Sequence, residues 1–283
     1  MKIGTLADWF GVGLIKGIEK SQKCGAEGVQ IYAWNELDPL KVDKSFLEKI
    51  KKTARDCSQE ITALCGELGG HGLEIAKDNA QKLKYLKAVV DCALTLGTNI
   101  ITTHIGRIPE DRNSERYKAM LDACGEIGKY AKERGAVIAV ETGPEPVSRL
   151  AEFCRQCEGI AINYDPANLV MVTNDDEVEG VKKAGDLIVH THAKDGVMKK
   201  YLGPEKTYEV FATGGIEAVT DLLTNYFYET PLGEGSVRFP EYLKALKEIG
   251  YDGFLTIERE VHDNAAADIL LAVEYLKKLL REI

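Results

Sequence analysis

Short apolar runs alternate along the chain with longer stretches in which apolar residues recur every three or four positions. The runs Ile3–Leu6, Gly28–Ala33, Ile61–Cys65 and Ile100–His104 have the length and β-branched content of buried strands. Each is followed by a segment of helical period: LIKGIEKSQKCG stopped by Gly25, then about 43–57, about 74–96 and about 114–134 ended by Gly135. In the third of these, Leu83, Leu86, Val89, Val90 and Ala93 share one helical face, and Gly97 supplies the stop. The second half repeats the alternation. Strands are expected in VIAVETG (137–143), IAINYDPANL (160–169), DLIVHTHAKDG (186–196) and GFLTIERE (253–260), and helices at about 147–157, near 175–184, at 239–250 and at about 264–282.

Strict alternation of strand and helix means a parallel sheet with right-handed crossovers, and eight such units close naturally into a (β/α)8 TIM barrel. An open doubly wound sheet is the competitor, but no Gly-x-Gly-x-x-Gly follows the first strand. The spacing breaks once. His192 and Glu258 stand about two units apart instead of one, and the excess, residues 196–236, holds a short helix near 215–226 and the run PLGEG at 231–235. An insertion between strands seven and eight lies on the face where barrel enzymes carry their sites, so it is expected to act as a lid or substrate-binding wall. No Ser/Gly/Pro linker divides the sequence, which predicts one domain over 1–283.

Composition narrows the chemistry. With 283 residues and 45% apolar content there is enough material for one large core. A net charge of −9 argues against a nucleic-acid groove, which needs a basic surface to displace counterions from phosphate. The cysteine count is seven; an odd number scattered through helices and strands reads as reduced thiols and a cytoplasmic location. Cys154 and Cys157 have no second pair at zinc-ribbon spacing and are expected to be buried thiols. The start, KIGTLAD, lacks a basic region followed by an apolar one, and no apolar stretch approaches about 18 residues, so no membrane partner is expected.

The strand ends carry the candidate site. Side chains alternate with period two, so His190, His192 and Lys194 should face the same way, on a side that would otherwise be apolar. In a parallel barrel, Glu141, Asp165, His192 and Glu258, at the ends of strands five to eight, converge on one face. Three oxygens and one imidazole nitrogen suit a divalent ion with positions open for substrate: manganese first, then magnesium, cobalt or zinc. Singly, each has an ordinary structural role as a helix cap, a salt-bridge partner or a core histidine. Four in register on consecutive strands point to a metal.

ETG at 141–143, DPANL at 165–169, HTHAKDG at 190–196, PLGEG at 231–235 and EIGYDGFLTIE at 248–258 resemble the xylose-isomerase-like barrel superfamily of sugar phosphate isomerases and epimerases, which also includes ketose 3-epimerases, inosose dehydratases and metal-dependent apurinic endonucleases. The resemblance implies that Glu141, Asp165, His192 and Glu258 bind one divalent metal and that Glu141 and Glu258 are also the catalytic acid and base. It selects His192 over His190, because the family's ligand stands three residues before the Asp of the H-x-K-D run. The chain also departs from the pattern. Asn168 stands where ketose epimerases and endonucleases have a histidine, leaving a residue suited to a substrate hydroxyl and poor for a metal. YETP at 228–231 replaces the endonucleases' Asp-x-His pair, so a three-zinc phosphodiesterase centre cannot be completed.

The implied activity is a sugar or sugar phosphate isomerase or epimerase, acting on a ketose or related keto-polyol by proton transfer through a metal-bound enediolate. The alternatives are a metal-dependent lyase or dehydratase of inosose or keto-glycoside type and a non-catalytic sugar-binding subunit. The partner is then a small-molecule carbohydrate, with homo-oligomers common among such barrels. Around the centre, His104 is expected to bind substrate or serve structurally, and Lys194 to steady an enolate oxygen or pair with a carboxylate. His190 is expected to be a buried hydrogen-bonding residue. Glu67 and Glu145 are candidate hydroxyl acceptors, Trp9 and Trp34 candidate rings for stacking on a sugar, and Arg107, Lys199 and Lys200 candidate phosphate ligands.

Overall fold

A computed structural model describes residues 1–260 and 265–283. Its strands are β1 (Lys2–Leu6), β2 (Gly28–Tyr32), β3 (Glu60–Cys65), β4 (Ile100–Thr103), β5 (Val137–Glu141), β6 (Ile160–Tyr164), β7 (Ile188–Ala193), β8 (Asp195–Met198), β9 (Phe227–Thr230) and β10 (Phe254–Ile257). β1 to β7 and β10 close a parallel barrel in the order β1-β10-β7-β6-β5-β4-β3-β2, as the alternation of strand and helix predicted. Val29, Ile31, Leu64, Ile101, Ile138 and Ile162 are fully buried in the apolar core. The stops at Gly25 and Gly97 fall where expected, both with left-handed φ at a helix C-terminus.

The barrel interior is polar. Gln30, Thr102, Asn163, His190, His192 and Thr256 are buried and hydrogen-bond to one another. Such groups cost free energy unless each finds a partner, so a connected network here marks a surface organised for something other than packing.

Two segments differ from the sequence expectation. The sixth strand ends at Tyr164 and does not run to 169. Asp165 Oδ1 accepts hydrogen bonds from the backbone N–H groups of Ala167 (2.7 Å) and Asn168 (3.1 Å), and Pro166 opens a short helix at Pro166–Asn168. A capping aspartate followed by proline starts a helix where the apolar run alone suggested more strand.

The insertion is also more ordered than one short helix. It is an antiparallel pair, β8 with β9, enclosing helices Pro204–Thr213 and Ile216–Asn225. The first helix was hidden by Tyr208, Val210 and Phe211, which read as strand formers. Asp195 roots the insertion: its carboxylate accepts from the N–H groups of Gly196, Gly233, Gly235 and Val237 at 2.9–3.1 Å, folding PLGEG back onto the start of β8.

The last helix is described from Ala265 to Glu282; its expected first residue, 264, lies outside the described residues. Among those residues no helix is long and apolar enough to cross a membrane, and all seven cysteines are free.

Candidate active site

Glu141 ends β5, Asp165 follows β6, His192 lies in β7 and Glu258 follows β10; one ligand atom from each falls within 4.8 Å of all the others. His192 Nδ1 is 3.4 Å from Glu258 Oε2, 3.6 Å from Glu141 Oε1 and 3.7 Å from Asp165 Oδ2. All four side chains are buried, yet Asp165 Oδ2 and His192 Nδ1 have no hydrogen-bond partner among the described residues. The two oxygens of Asp165 divide the roles considered from sequence: Oδ1 caps the helix, and Oδ2 faces the cluster.

The far side of His192 explains which way its Nδ1 points. Nε2 lies 3.1 Å from Gln30 Oε1, and Gln30 Nε2 donates to Thr102 Oγ1 at 3.0 Å, so the Gln30 oxygen is left to accept the imidazole N–H. Nδ1 faces the carboxylates; burial opposes protonation of the ring, but Glu258 and Glu141 prevail and hold its pKa well above the ordinary value, and a cation bound there would take that proton's place. Glu141 is oriented by two amides: Asn163 Nδ2 donates to Oε2 (3.1 Å) and Asn168 Nδ2 to Oε1 (3.0 Å). Asn163 Oδ1 in turn accepts from His190 Nδ1 at 2.8 Å, and His190 Nε2 accepts from Thr256 at 3.1 Å. Burial, reinforced by His192, holds His190 well below its ordinary pKa, so His190 is the neutral hydrogen-bonding residue expected from sequence.

Three buried carboxylates converging on an imidazole nitrogen are unfavourable without a positive charge among them. The donor set therefore fits a divalent cation: hard oxygens and one imidazole nitrogen that binds a metal once its proton leaves, each oriented from behind. Lys194 supplies part of the charge balance. Its ammonium lies 2.9 Å from Glu258 Oε2 and 2.8 Å from Glu260. Burial works to raise the Glu258 carboxyl, but Lys194 and His192 outweigh it and hold it well below the usual carboxylate range.

The cluster opens into a cavity of about 380 Å³, and most of the substrate-facing candidates border it. His104 lies between Glu67 (Nδ1 to Oε2, 2.9 Å) and Glu141 (Nε2 to Oε1, 3.7 Å). Burial opposes its protonation, but Glu141 and Glu67 prevail and raise its pKa to about 10. Trp9, Trp34, Glu67, Asn168 and Lys194 also line the cavity, as does Arg107, which is paired with Glu205 at 3.0 Å.

Other candidates lie elsewhere. Glu145 is buried, accepts the Ile108 N–H at 2.9 Å and does not border the cavity. Lys199 and Lys200 lie over Tyr228 and Tyr226 on the insertion. Sequence reasoning missed Gln30 and Asn163, whose signal was a lone amide inside an apolar strand. It also missed Tyr208, brought in by the first insertion helix. A Cβ on Gly143 would come within 2.4 Å of the Tyr208 hydroxyl, so the glycine of ETG makes room for that ring.

The family model described as xylose isomerase-like TIM barrel matches residues 18–279. An inosose dehydratase of Clostridium perfringens is 24% identical over 177 residues, which cover 60% of this chain and 56% of that protein. The chain spans about three-fifths of the length of the curated relatives it matches. Among solved structures, a xylose isomerase domain protein from Planctomyces limnophilus superposes with a TM-score of 0.80 at 26% identity, covering 100% of this chain and 97% of the other. A D-tagatose 3-epimerase-like protein superposes with a TM-score of 0.75 at 19% identity, covering 100% and 99%. At that identity the second likeness speaks for the fold alone.

Proposed function

Because the chain belongs to the xylose isomerase-like TIM-barrel family, we propose that it is a divalent-metal-dependent isomerase or epimerase of a ketose or related keto-polyol, working by proton transfer through an enediolate. The observation that carries this reading is the convergence of Glu141, Asp165, His192 and Glu258, with two unfilled buried ligand atoms at its centre. Manganese is the first choice for the ion, with magnesium, cobalt or zinc as substitutes. When bound, the ion would supply Lewis-acid stabilisation of negative charge on the substrate's oxygens.

The remaining work belongs to the side chains. Glu141 and Glu258 approach from β5 and β10, on either side of β6 and β7. One takes the proton from the carbon next to the carbonyl. The other returns it to the opposite face, giving epimerisation, or to the neighbouring carbon, giving aldose–ketose isomerisation. Asn163 and Asn168 hold Glu141 in one orientation, and Lys194 does the same for Glu258. Tyr208 and its helix would cover the cavity and limit water around the enediolate.

A second reading, elimination of water, is favoured by His104. Its Nδ1 pairs with Glu67 at 2.9 Å and its Nε2 lies 3.7 Å from Glu141, which places an imidazole beside the proposed base to protonate a departing β-hydroxyl. The experiment that separates the outcomes is incubation of the manganese-loaded protein with ketoses and inososes in heavy water. Deuterium entering the α-carbon, lost in Glu258→Gln, supports isomerase or epimerase chemistry. Loss of water from the substrate moves the reading to a dehydratase, and neither change with any substrate overturns it.

A further inference from the structure

We propose that the substrate is an uncharged keto sugar carrying a second ring, and that this ring stacks on an aromatic wall formed by Trp34, Tyr32 and Trp9. The inference rests on the proposed keto-sugar chemistry and names the substrate class of that site. Its first support is the charge of the cavity wall. Each Arg and Lys lining it already has a carboxylate partner: Arg107 with Glu205, Arg116 with Glu74, and Lys194 with Glu258 and Glu260. His104 is likewise paired with Glu67. With Glu141 and Asp165 offset by the proposed cation, Glu209 and the second carboxylate beside Lys194 remain, so the surplus is negative. A phosphate or carboxylate on the substrate would have to displace one of these pairs while lying among like charges, which Coulomb repulsion opposes.

The second support is the wall itself. It rises from the loops after β1 and β2, across the barrel from the strands that carry Glu141, Asp165 and His192. Trp34 stacks on Tyr32 with centroids 4.3 Å apart and planes 20° from parallel, and Trp9 meets Tyr32 edge-on at 6.0 Å. Asp8 fixes the group: Oδ1 accepts the Trp34 indole N–H at 3.0 Å and Oδ2 accepts the Tyr32 backbone N–H at 3.0 Å. Trp34 is nevertheless 41% exposed. An indole pinned in place with much of its surface open to a cavity is a preorganised platform for a flat apolar ligand face, such as the C–H face of a pyranose.

Size agrees. The cavity, about 380 Å³, falls in the range of roughly 300–1,000 Å³ usual for drug-sized ligands. With one ring at the carboxylate cluster, the aromatic wall across the barrel is the face left for a second.

Both tryptophans of the chain belong to this wall, so intrinsic fluorescence reports on it directly and without turnover. The test titrates the protein, with and without manganese, with fructose, fructose 6-phosphate and the glycosylated ketoses lactulose, turanose and isomaltulose, and follows α-proton exchange in parallel. At least one glycosylated ketose is expected to shift the fluorescence and bind about tenfold tighter than fructose. Trp34→Ala should erase that preference, and Trp34→Phe, which keeps a ring, should retain most of it. Equal binding of fructose, or tighter binding of the phosphate, overturns the inference while leaving the proposed function intact if the α-proton still exchanges. Tight binding of a two-ring sugar with no exchange upholds the subsite and counts against the isomerase reading. Binding of none of these sugars overturns the inference.

Discussion

Gln30 and His192 meet inside the barrel, Oε1 to Nε2 at 3.1 Å, and that contact turns Nδ1 toward the three carboxylates. Gln30 touches no substrate-facing atom in this arrangement; it acts through the ring it orients. Gln30→Met keeps the volume and removes the acceptor. It is expected to weaken divalent-metal affinity about 10–100-fold and, through the buried N–H left without an acceptor, to cost about 1–3 kcal/mol of stability with the fold retained. Calorimetric titration checks this, and an unchanged affinity would show that His192 needs no such partner.

The insertion depends on one carboxylate in the same way. Asp195 accepts four backbone N–H groups, and a Cβ on Gly235 would come within 2.0 Å of its Oδ1 and 2.6 Å of the Gly196 nitrogen. Asp195→Asn turns an amide N–H₂ toward N–H donors, leaving buried groups unpaired at a cost of about 1–3 kcal/mol. Gly235→Ala should be destabilising by a similar route, because backbone and carboxylate cannot both move aside. Thermal unfolding measures both, and protease cleavage within 199–226 should speed up in each variant. Wild-type cleavage rates would mean that the insertion is held by other contacts.

Glu145 gives a pH dependence separable from the metal cluster. Burial raises its pKa from 4.5 to about 7, against the opposing effects of the Ile108 N–H and Arg149. Between those values the folded state holds a proton that the unfolded state has released, so stability falls as pH rises from about 4.5 through 7. Glu145→Gln removes this dependence and keeps an acceptor for Ile108. The variant should gain stability relative to wild type at pH 8, on the order of 2–3 kcal/mol, and little at pH 4.5. Denaturant titrations at the two pH values are the check; a gain of equal size at both would assign the effect to something other than ionisation.

The barrel could be read from sequence because β-α alternation is a repeating signal, and an error of a few residues at one boundary leaves it intact. The carboxylates could be read for a related reason, since a charge at the end of an apolar strand is conspicuous, whereas the choice of His192 over His190 came from the resemblance. What stayed hidden depended on partners distant in sequence. Nothing near Gln30 says that it faces His192, and nothing near Lys194 says that it pairs with both Glu258 and Glu260. The helix at Pro204–Thr213 was masked by strand-forming residues, and with it Tyr208, whose place over the site follows from the tertiary rooting of the insertion at Asp195.

The central claim is that Glu141, Asp165, His192 and Glu258 form a divalent-metal centre. Manganese titration followed by electron paramagnetic resonance tests it most directly, since bound and free ion are counted separately. The account predicts one saturable site per chain in the wild type and its loss in His192→Ala, with the fold retained by circular dichroism. No saturable binding in the wild type, or undiminished binding in His192→Ala, would contradict it.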